Sequence, residues 1–397
     1  MNLKQTTKRK TDKNHQDAMK EGWQIYKLED ICTIYDKLRK PISKKDRVSG
    51  IYPYYGASCV QDYVNDYLFD GRYVLIGEDG AKWGSGEDTA YIVEGKFWVN
   101  NHAHIIQCNN GIVDTFIYYY FNHLDLTKLV AGAIIPKLTQ ETLRSMEIPI
   151  PSSSEQQRIV ALLDAEFAKI DALKANAEKN LQNAKDLFQA ALKKELEPKE
   201  GWKRIPFKEI TTEIGDGLHG TPKYTENGSY FFVNGNNFES GIIEIKANTK
   251  RVDNNEFEKY KLNLNETTVL LSINGTVGKT AFYNGEPIIL GKSACYINVL
   301  PSIITKEYVR YYLLSDGFKD YARKHSRQAT IINLGLKEIR QMAIPFPHSL
   351  LDQQSIVARL DVLNEKCKTL QANYEKTLSL CDDLKQALLR KAFNGEI

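Results

Sequence analysis

The chain has 397 residues, of which 42% are hydrophobic and 26% are charged, and its formal net charge is +3. This length and composition predict a globular protein of two or more domains and exclude a fibrous or wholly disordered chain. The small positive charge is compatible with a nucleic-acid partner but does not by itself indicate one.

The first residues are polar and charged and lack the apolar core of a signal peptide. No apolar run in the sequence is long enough to span a membrane. The six cysteines form no Cys-x-x-Cys pair and no disulfide-type spacing, which is typical of reduced thiols. We therefore expect a cytoplasmic protein in which residues 1–20 form a flexible basic tail.

An internal repeat organises the rest of the chain. The segment that starts at Glu155 matches the segment that starts at Asp352 with a constant shift of 197 and no gap. The lead-in segments that end at Pro151 and Pro347 also match, and each half opens with Glu-Gly-Trp. Such a repeat dictates the architecture. The predicted parts after the tail are a first domain at 21–151, a central long helix at 152–199, a second domain at 200–347 and a C-terminal long helix at 348–397.

The regions between the repeated ends differ from each other in sequence. Both are rich in Tyr, Val, Ile and Thr, are punctuated by Gly and Asn, and close with a helical pattern near Asp114 and near Lys306. These patterns are typical of short strands and turns followed by helices. Each region is therefore predicted to be a mixed α/β domain.

The repeated segments are predicted to be long helices. Their apolar residues recur at steps of four and three, an average of about 3.5 that is typical of a coiled-coil seam. Because so narrow a stripe cannot be buried by one helix alone, we expect the copies to pack on each other rather than each on its own domain. The seam is predicted at Ile159, Leu163, Ile170, Leu173, Leu181, Ile356, Leu360, Leu363, Leu370 and Leu384.

The predicted fold class is α+β. It has two mixed α/β domains separated by two long helices that pair as an antiparallel coiled coil, which makes a pseudo-two-fold internal repeat.

Two segments imitate catalytic motifs. The run at 278–280 reads Gly-Lys-Thr, like the end of a phosphate-binding loop, but Ile273 stands where that motif requires glycine. Asp88, Glu94 and Lys96 loosely resemble the acidic triplet of metal-dependent nucleases, and chance explains their spacing better. The sequence contains no Pro-Pro dipeptide, which the base-flipping loop of an adenine methyltransferase requires. These observations predict a binding protein without a catalytic site.

His102, His104 and Cys108 alternate along a predicted strand, which places the two histidines on one face as potential metal ligands. No second pair of ligands lies nearby in the sequence. We therefore expect structural roles for these residues and no metal site.

The duplicated layout, the matching lead-in segments, the Glu/Asp-Gln-Gln helix starts and the closing LLRKAFNGEI resemble the specificity subunits of type I restriction-modification systems. The resemblance covers the chain from about residue 21 to its end. It implies a DNA-binding subunit, without catalysis of its own, in a system for defence against foreign DNA. Two target-recognition domains, about Trp23 to Pro151 and Trp202 to Pro347, would each read one half of a split double-stranded site, and the helices would set the unread gap.

The resemblance also implies a complex in which one such subunit joins two methyltransferase subunits and, optionally, two restriction subunits. Adenine-N6 methylation with S-adenosylmethionine, and DNA cleavage with ATP and Mg, would belong to those partners, and this chain would bind no cofactor itself. The alternative from another class is a coiled-coil scaffold with two protein-binding domains.

Polar side chains on predicted turns are the candidates for DNA contact, because Lys and Arg neutralise phosphates while Asn, Gln and Thr reach base edges. For each of them, a plain surface role or a role in keeping the fold is an alternative at least as strong as a base contact. The candidates in the first domain are Lys82, Trp83, Asn100, Asn101, His102 and Lys137. The candidates in the second domain are His219, Thr221, Lys223, Asn236, Lys279, Thr280, Lys292, Arg327 and Gln328.

Overall fold

The predicted tail at residues 1–20 lies outside the residues that the computed structural model describes, which are 22–130, 132, 136–326 and 332–397. The described chain divides into two compact units. The first unit consists of the residues up to Glu178 together with Glu375–Ile397, and the second unit is Lys179–Tyr374. Each unit therefore takes part of both long helices.

The first unit is built on a six-stranded sheet. The strands of the whole unit, in chain order, are β1 (Gln24–Lys27), β2 (Cys32–Ile34), β3 (Ser49–Tyr55), β4 (Val60–Val64), β5 (Phe69–Gly77), β6 (Ala90–Val99), β7 (Ala103–Cys108) and β8 (Glu147–Ile150). Its helices are α1 (Leu28–Ile31), α2 (Asp114–His123), α3 (Gln140–Ser145) and the first part of α4 (Ser153–Leu196). The sheet order is β2-β7-β5-β6-β3-β4, and β1 pairs separately with β8.

The central strand β5 is buried on both faces of this sheet. Because side chains alternate along a strand, Val74 and Ile76 belong to the cluster formed with α2 and the long helices. Leu75 belongs to the opposite cluster, in which the rings of Phe69 and Phe97 stack. Burial on both faces explains why the sequence of β5 is apolar without alternation.

The second unit contains smaller sheets. Its strands are β9 (Lys203–Pro206), β10 (Thr211–Asp216), β11 (Tyr230–Val233), β12 (Phe238–Glu239), β13 (Ile242–Ile243), β14 (Arg251–Val252), β15 (Thr268–Ser272), β16 (Thr280–Phe282), β17 (Ile288–Leu290), β18 (Ala294–Val299) and β19 (Ala343–Phe346). Its helices are α5 (Asn254–Tyr260), α6 (Lys306–Leu314), α7 (Asp316–Lys324), α8 (Leu336–Gln341) and the first part of α9 (Leu350–Phe393). The sheet orders are β10-β18-β15-β16, β14-β11-β17, β12-β13 and β19-β9.

The repeat continues through the regions whose sequences diverge. In the first unit β7 lies between β2 and β5, and in the second unit β18 lies between β10 and β15, with all neighbours antiparallel. Helix α2 follows β7 as α6 follows β18. The prediction of two mixed α/β domains, each followed by a long helix, is confirmed.

The long helices α4 and α9 each contain 44 residues and run antiparallel. In the first unit, the Nζ atom of Lys174 lies 2.7 Å from a carboxylate oxygen of Asp382, and that of Lys385 lies 2.5 Å from Asp171. Partner numbers therefore fall along α9 as they rise along α4. The predicted antiparallel pairing is confirmed.

In the second unit, the C-terminal end of α4 lies against the N-terminal part of α9. An ion pair of 2.6 Å joins Arg359 to Glu195. Leu196 belongs to the same buried cluster as Ile356 and Leu360. This cluster also contains the core of the second domain, so a long helix packs on its own domain as well as on its partner helix.

Most of the predicted seam residues lie on the inner side of the helix pair. Leu181 and Leu363 are half-buried. The buried members are Ile159, Leu163, Ile170, Ile356 and Leu360.

Three predicted seam positions are wrong. Leu173, Leu370 and Leu384 are exposed to 51%, 39% and 48%. An average step of 3.5 does not determine whether a given step is three or four residues long. At these three positions the next residue along the helix is less exposed than the predicted leucine. The half-buried neighbours are Lys174, Gln371 and Lys385, whose aliphatic stems can pack while their polar ends reach water.

The first glutamine of each Gln-Gln pair fastens a long helix to its domain. Gln353 is fully buried, and its Oε1 atom accepts a hydrogen bond of 2.9 Å from the Thr305 amide. Its Nε2 atom donates to the carbonyls of Ile303 at 2.9 Å and Pro347 at 3.0 Å. Gln156 makes the matching hydrogen bonds to backbone groups in the first unit.

Replacement of this glutamine should destabilise the second unit. We expect Gln353→Ala to lower the free energy of unfolding by about 2 kcal/mol or more, because buried backbone groups lose their partner. The matched control is Gln354→Ala, an exposed neighbour on the same turn, which should change the free energy by less than about 0.5 kcal/mol. Urea denaturation of the full chain measures both. Equal losses for the two variants would contradict the anchoring role.

Candidate nucleic-acid interface

Three segments of the first domain meet at one end of its sheet. The Glu78 amide, just after β5, donates to the His102 carbonyl at 2.8 Å, and the Glu78 carbonyl accepts from the Leu138 amide at 2.8 Å. These bonds hold the turn before β7 and the lead-in before α3 against the loop after β5. We name this set of residues the first junction, and it comprises 78–79, 100–102 and 137–138.

The second domain repeats both hydrogen bonds. The Ile273 amide donates to the Ser293 carbonyl at 2.9 Å, and the Ile273 carbonyl accepts from the Leu334 amide at 2.9 Å. Leu138 and Leu334 are matching residues of the sequence repeat. The same backbone geometry thus presents two loops of different sequence. We name the second set the second junction, and it comprises 273–274, 291–293 and 333–334.

Buried charges support the first junction. The Nδ1 atom of His104 lies 2.6 Å from a carboxylate oxygen of Asp36, and its Nε2 atom lies 2.8 Å from the Leu138 carbonyl. Because both neighbours are acceptors, both ring nitrogens donate, and His104 carries a positive charge.

Glu78 lies between two further cations. The Nζ atom of Lys137 is 2.7 Å from one carboxylate oxygen of Glu78, and the Arg39 guanidinium contacts the other. Arg39 also donates to the Ala103 carbonyl at 2.9 Å. The guanidinium therefore ties the carboxylate to the backbone of the turn that carries Asn101 and precedes β7.

These cations lower the pKa of both buried carboxylates. Burial alone would raise the pKa of Asp36, but the hydrogen bond from His104 and the charges of His104 and Arg39 outweigh it. Burial would likewise raise the pKa of Glu78, but the hydrogen bonds from Lys137 and Arg39 outweigh this effect and lower it. Asp36, Glu78 and His104 lie close enough together to surround a metal ion. They do not fit one, because both ring nitrogens of His104 are engaged and the carboxylates are already neutralised.

The ion network should make a large and pH-dependent contribution to stability. We expect Asp36→Asn to lower the free energy of unfolding at pH 7 by about 3 kcal/mol, because a buried imidazolium loses its hydrogen-bonded carboxylate and keeps only the more distant Glu78, at 3.7 Å. Since the pKa of Asp36 is lower in the folded state, its contribution is present above about pH 4 and is lost as the pH falls through the folded pKa. Urea denaturation between neutral and acidic pH should therefore give converging curves for the two proteins.

The control for this variant is Glu94→Gln, which breaks the exposed ion pair with Arg72. An exposed pair contributes about 0–1 kcal/mol, so this change should be small at every pH. If the free energies of unfolding of wild type and Asp36→Asn differed by the same amount down to acidic pH, Asp36 would not be the ionised, stabilising carboxylate that we infer.

The second junction is supported by apolar packing instead. Ile273 and Cys295 occupy the places of Glu78 and His104, and both are buried. Burial raises the pKa of the Cys295 thiol, so this cysteine stays protonated. The two domains therefore reach the same loop geometry through different interactions.

Four first-domain candidates lie at the first junction. Asn101 and His102 are exposed, and His102 contacts the Asp79 carboxylate. Lys137 is held by its ion pair. Asn100 is buried and accepts a hydrogen bond of 2.8 Å from the His102 amide. Its side chain therefore shapes the turn, and the prediction that it faces DNA is corrected.

The other two candidates of this domain lie in the loop between β5 and β6. Lys82 is exposed. The prediction for Trp83 is corrected, because its ring is buried in the core with Phe116 and Leu126. A large apolar ring in this loop gains more from burial than from exposure at a turn.

Three second-domain candidates lie on adjoining loops at the second junction. Lys292 is exposed within it. The Leu218 amide, next to the exposed His219, donates to the Leu290 carbonyl at 2.7 Å. Asn236 is exposed and follows Gly235, whose amide donates to Ser293 Oγ at 3.3 Å.

The remaining second-domain candidates are not grouped in this way. Lys279 forms an ion pair of 3.0 Å with Glu239. Thr280 is buried in β16, where its position in the sheet overrides the predicted exposure. The candidates Arg327 and Gln328 lie outside the described residues. Thr221 and Lys223 are exposed on the loop after β10.

Sequence patterns alone did not indicate Asp36, Arg39 and Glu78. They are separated along the chain and meet only through the register of β5 and β7 and the turn after β2. The potential ligands His104 and Cys108 do not act together either, because Cys108 lies opposite Cys32 with the two Sγ atoms 3.5 Å apart.

Comparison with known proteins identifies the family. A family model described as the type I restriction modification DNA specificity domain matches residues 20–183 and 199–379, and the chain belongs to this family. It is 27% identical over 366 residues to a putative type I restriction enzyme specificity subunit of Haemophilus influenzae, S.HindORF215P, covering 90% of this chain and 91% of that one. It is 23% identical over 380 residues to the EcoDI specificity subunit of Escherichia coli, covering 88% and 83%.

Two solved structures share the fold. A chain from work on complex assembly and conformational transition of the type I R-M system has a TM-score of 0.70 and 19% identity, covering 95% of this chain and 99% of that one. The HsdS subunit of Thermoanaerobacter tengcongensis has a TM-score of 0.51 and 18% identity, covering 96% and 98%. The resemblance inferred from the sequence is confirmed. Among the described helices, none is both long and apolar enough to cross a membrane.

Proposed function

We propose that this chain selects the DNA site of a type I restriction-modification complex and carries no catalytic step itself. Each domain reads one half of a split sequence with the exposed side chains around its junction. The long helices connect the two readers and dock the partner subunits.

The observation that carries this proposal is the duplicated junction. Two domains of one DNA specificity family member present divergent loops on the same pair of backbone hydrogen bonds. A constant frame with divergent side chains suits a protein that reads two different half-sequences, because base contacts specify while the frame positions them.

The proposed partners are two methyltransferase subunits and, optionally, two restriction subunits. S-adenosylmethionine, ATP and Mg would be bound by those partners, and the complex would act in the cytoplasm. Exposed leucines on the long helices offer apolar surface for a partner to cover. They are Leu173, Leu187, Leu351, Leu370, Leu380 and Leu384.

Genome-wide mapping of N6-methyladenine tests the proposal. Deletion of the gene should remove methylation at one split sequence, and its return on a plasmid should restore it. The purified chain alone should neither transfer methyl groups nor cut DNA. Unchanged methylation after deletion would favour a coiled-coil scaffold with two protein-binding domains.

A further inference from the structure

A run of exposed lysines lies beside the first junction and is absent from the candidates that the sequence suggested. We name Lys37, Lys40, Lys44 and Lys45, which are all exposed, the lysine ridge. They lie in the segment that connects β2 to β3 and includes two short 3₁₀ turns at Asp36–Leu38 and Lys44–Asp46.

The backbone of the ridge is held against the turn before β7, which carries Asn101 and His102. Arg39, between two of the lysines, donates to the carbonyls of Asn101 at 3.4 Å and Ala103 at 2.9 Å. The indole nitrogen of Trp98 donates to the Lys40 carbonyl at 2.6 Å. Lys37 and Lys40, on either side of Arg39, therefore lie next to the turn that carries Asn101 and His102, on a segment that is held in place before any ligand binds.

The far end of the ridge is held by the β3–β4 hairpin. The Ile42 amide donates to the Tyr54 hydroxyl at 3.0 Å. Arg47 lies over the Tyr54 ring, 4.2 Å from its centroid, and pairs with Asp62 at 3.1 Å. The arginines thus serve the fold, and the lysines are left at the surface.

The four lysines of the ridge form no salt bridge with a described residue, although the charge of Lys44 is among the causes that lower the pKa of Asp62. Among the described residues, no carboxylate lies within ion-pair distance of the four lysines. Asp46 is the exposed carboxylate of the segment, and it is hydrogen-bonded to Ser43. By contrast, Lys137 and Lys279 are already paired with Glu78 and Glu239.

We propose that the lysine ridge is a phosphate-binding surface that grips the DNA backbone beside the bases read at the first junction. This inference rests on the proposed function and adds the residues that supply its sequence-independent part. Lysine ammonium groups bind phosphates as point charges, without the geometry that reads a base. Because the ridge adjoins the turn that carries Asn101 and His102, one DNA duplex can contact both the ridge and this turn.

The test compares Lys→Gln variants in the full chain, assembled with its methyltransferase partner. The variants are K37Q/K40Q, K44Q/K45Q and the quadruple change. The matched control is K27Q/K128Q, two exposed lysines of the same unit outside the ridge. Fluorescence anisotropy measures affinity for a duplex with the methylated site and for a scrambled duplex, between about 50 and 200 mM salt.

We expect the ridge variants to weaken binding to both duplexes by the same factor, so that the ratio of the two affinities is unchanged. Each lost phosphate contact should reduce the slope of log affinity against log salt by about 0.9, which is about 3 to 4 for the quadruple change. Lys→Arg changes at the same positions should retain the slope. The control should behave as wild type.

Other outcomes overturn the inference. A slope that stays the same in the quadruple variant would show that the ridge does not contact phosphate, and loss of the partner subunit instead of DNA affinity would assign the ridge to a protein surface. A changed affinity ratio would mean that these lysines read bases. If the parent complex shows no preference between the duplexes, the proposed function fails, while the slope for the scrambled duplex still tests the ridge.

Discussion

Exchange of residues 202–347 for the matching region of a relative is expected to change one half of the methylated sequence and leave the other half and the gap unchanged. The exchanged region contains the whole second junction, whereas the first junction and both long helices stay in place. Under the proposed function, base contacts are made by the exchanged loops and the spacing is set by the helices. Sequencing of N6-methyladenine in cells that carry the hybrid gene measures the outcome.

The exchanged domain must still pack on this chain's helices. Leu192 and Leu196 of α4 share the buried cluster of the second domain with Ile356 and Leu360 of α9. A donor that keeps apolar residues against these four positions is therefore the appropriate choice. The reciprocal control is exchange of residues 23–151, which should change the other half. Simultaneous change of both halves by either exchange would contradict independent reading.

A fragment that ends near Pro198 should form a two-fold dimer with itself. In the full chain, Leu389 and Phe393 of α9 complete the core of the first domain. The repeat matches them with Leu192 and Leu196 of α4. A second copy of the fragment can therefore supply leucines where the C-terminal helix is missing, and an isologous interface closes the assembly.

One position opposes this dimer and supplies a matched variant. Glu195 corresponds to Ala392, which is fully buried in the first unit. In the full chain Glu195 pairs with Arg359, but the residue that matches Arg359 in the fragment is Leu162. Burial of an unpaired carboxylate is costly, so Glu195→Ala should tighten the fragment dimer.

Sedimentation measures the fragment's mass, and methylation mapping with the methyltransferase reports its site. We expect a palindromic split sequence built from one half of the original site, because half-site symmetry follows protein symmetry. A fragment that stays monomeric at tens of micromolar even with Glu195→Ala would show that the two helices are not interchangeable. Methylation of the original asymmetric site would contradict the prediction equally.

The sequence alone determined the large-scale design of this protein. An ungapped repeat with a helical apolar period predicts two long helices, and two divergent regions between matching ends predict two mixed domains. Helix periodicity and the repeat can both be read directly from the order of residues in the chain, so they can be recognised without knowing which residues are in contact. Even the Gln-Gln pairs are visible as a repeat, although their sequence does not show that Gln156 and Gln353 are the buried members.

Only the tertiary structure decided which residues face outward. Trp83, Asn100 and Thr280 carry side chains suited to DNA, yet each is buried because of its place in a core, a turn or a strand. The seam shows the same limit, because a choice between steps of three and four depends on the partner helix.

The charged network beneath the first junction is the clearest example of what the tertiary structure decides. Asp36, Glu78 and His104 are brought together by strand register, and no local pattern relates their positions in the sequence. Long-range pairing of this kind depends on how the strands align in space, so its ion pairs become visible only when the sheet is formed.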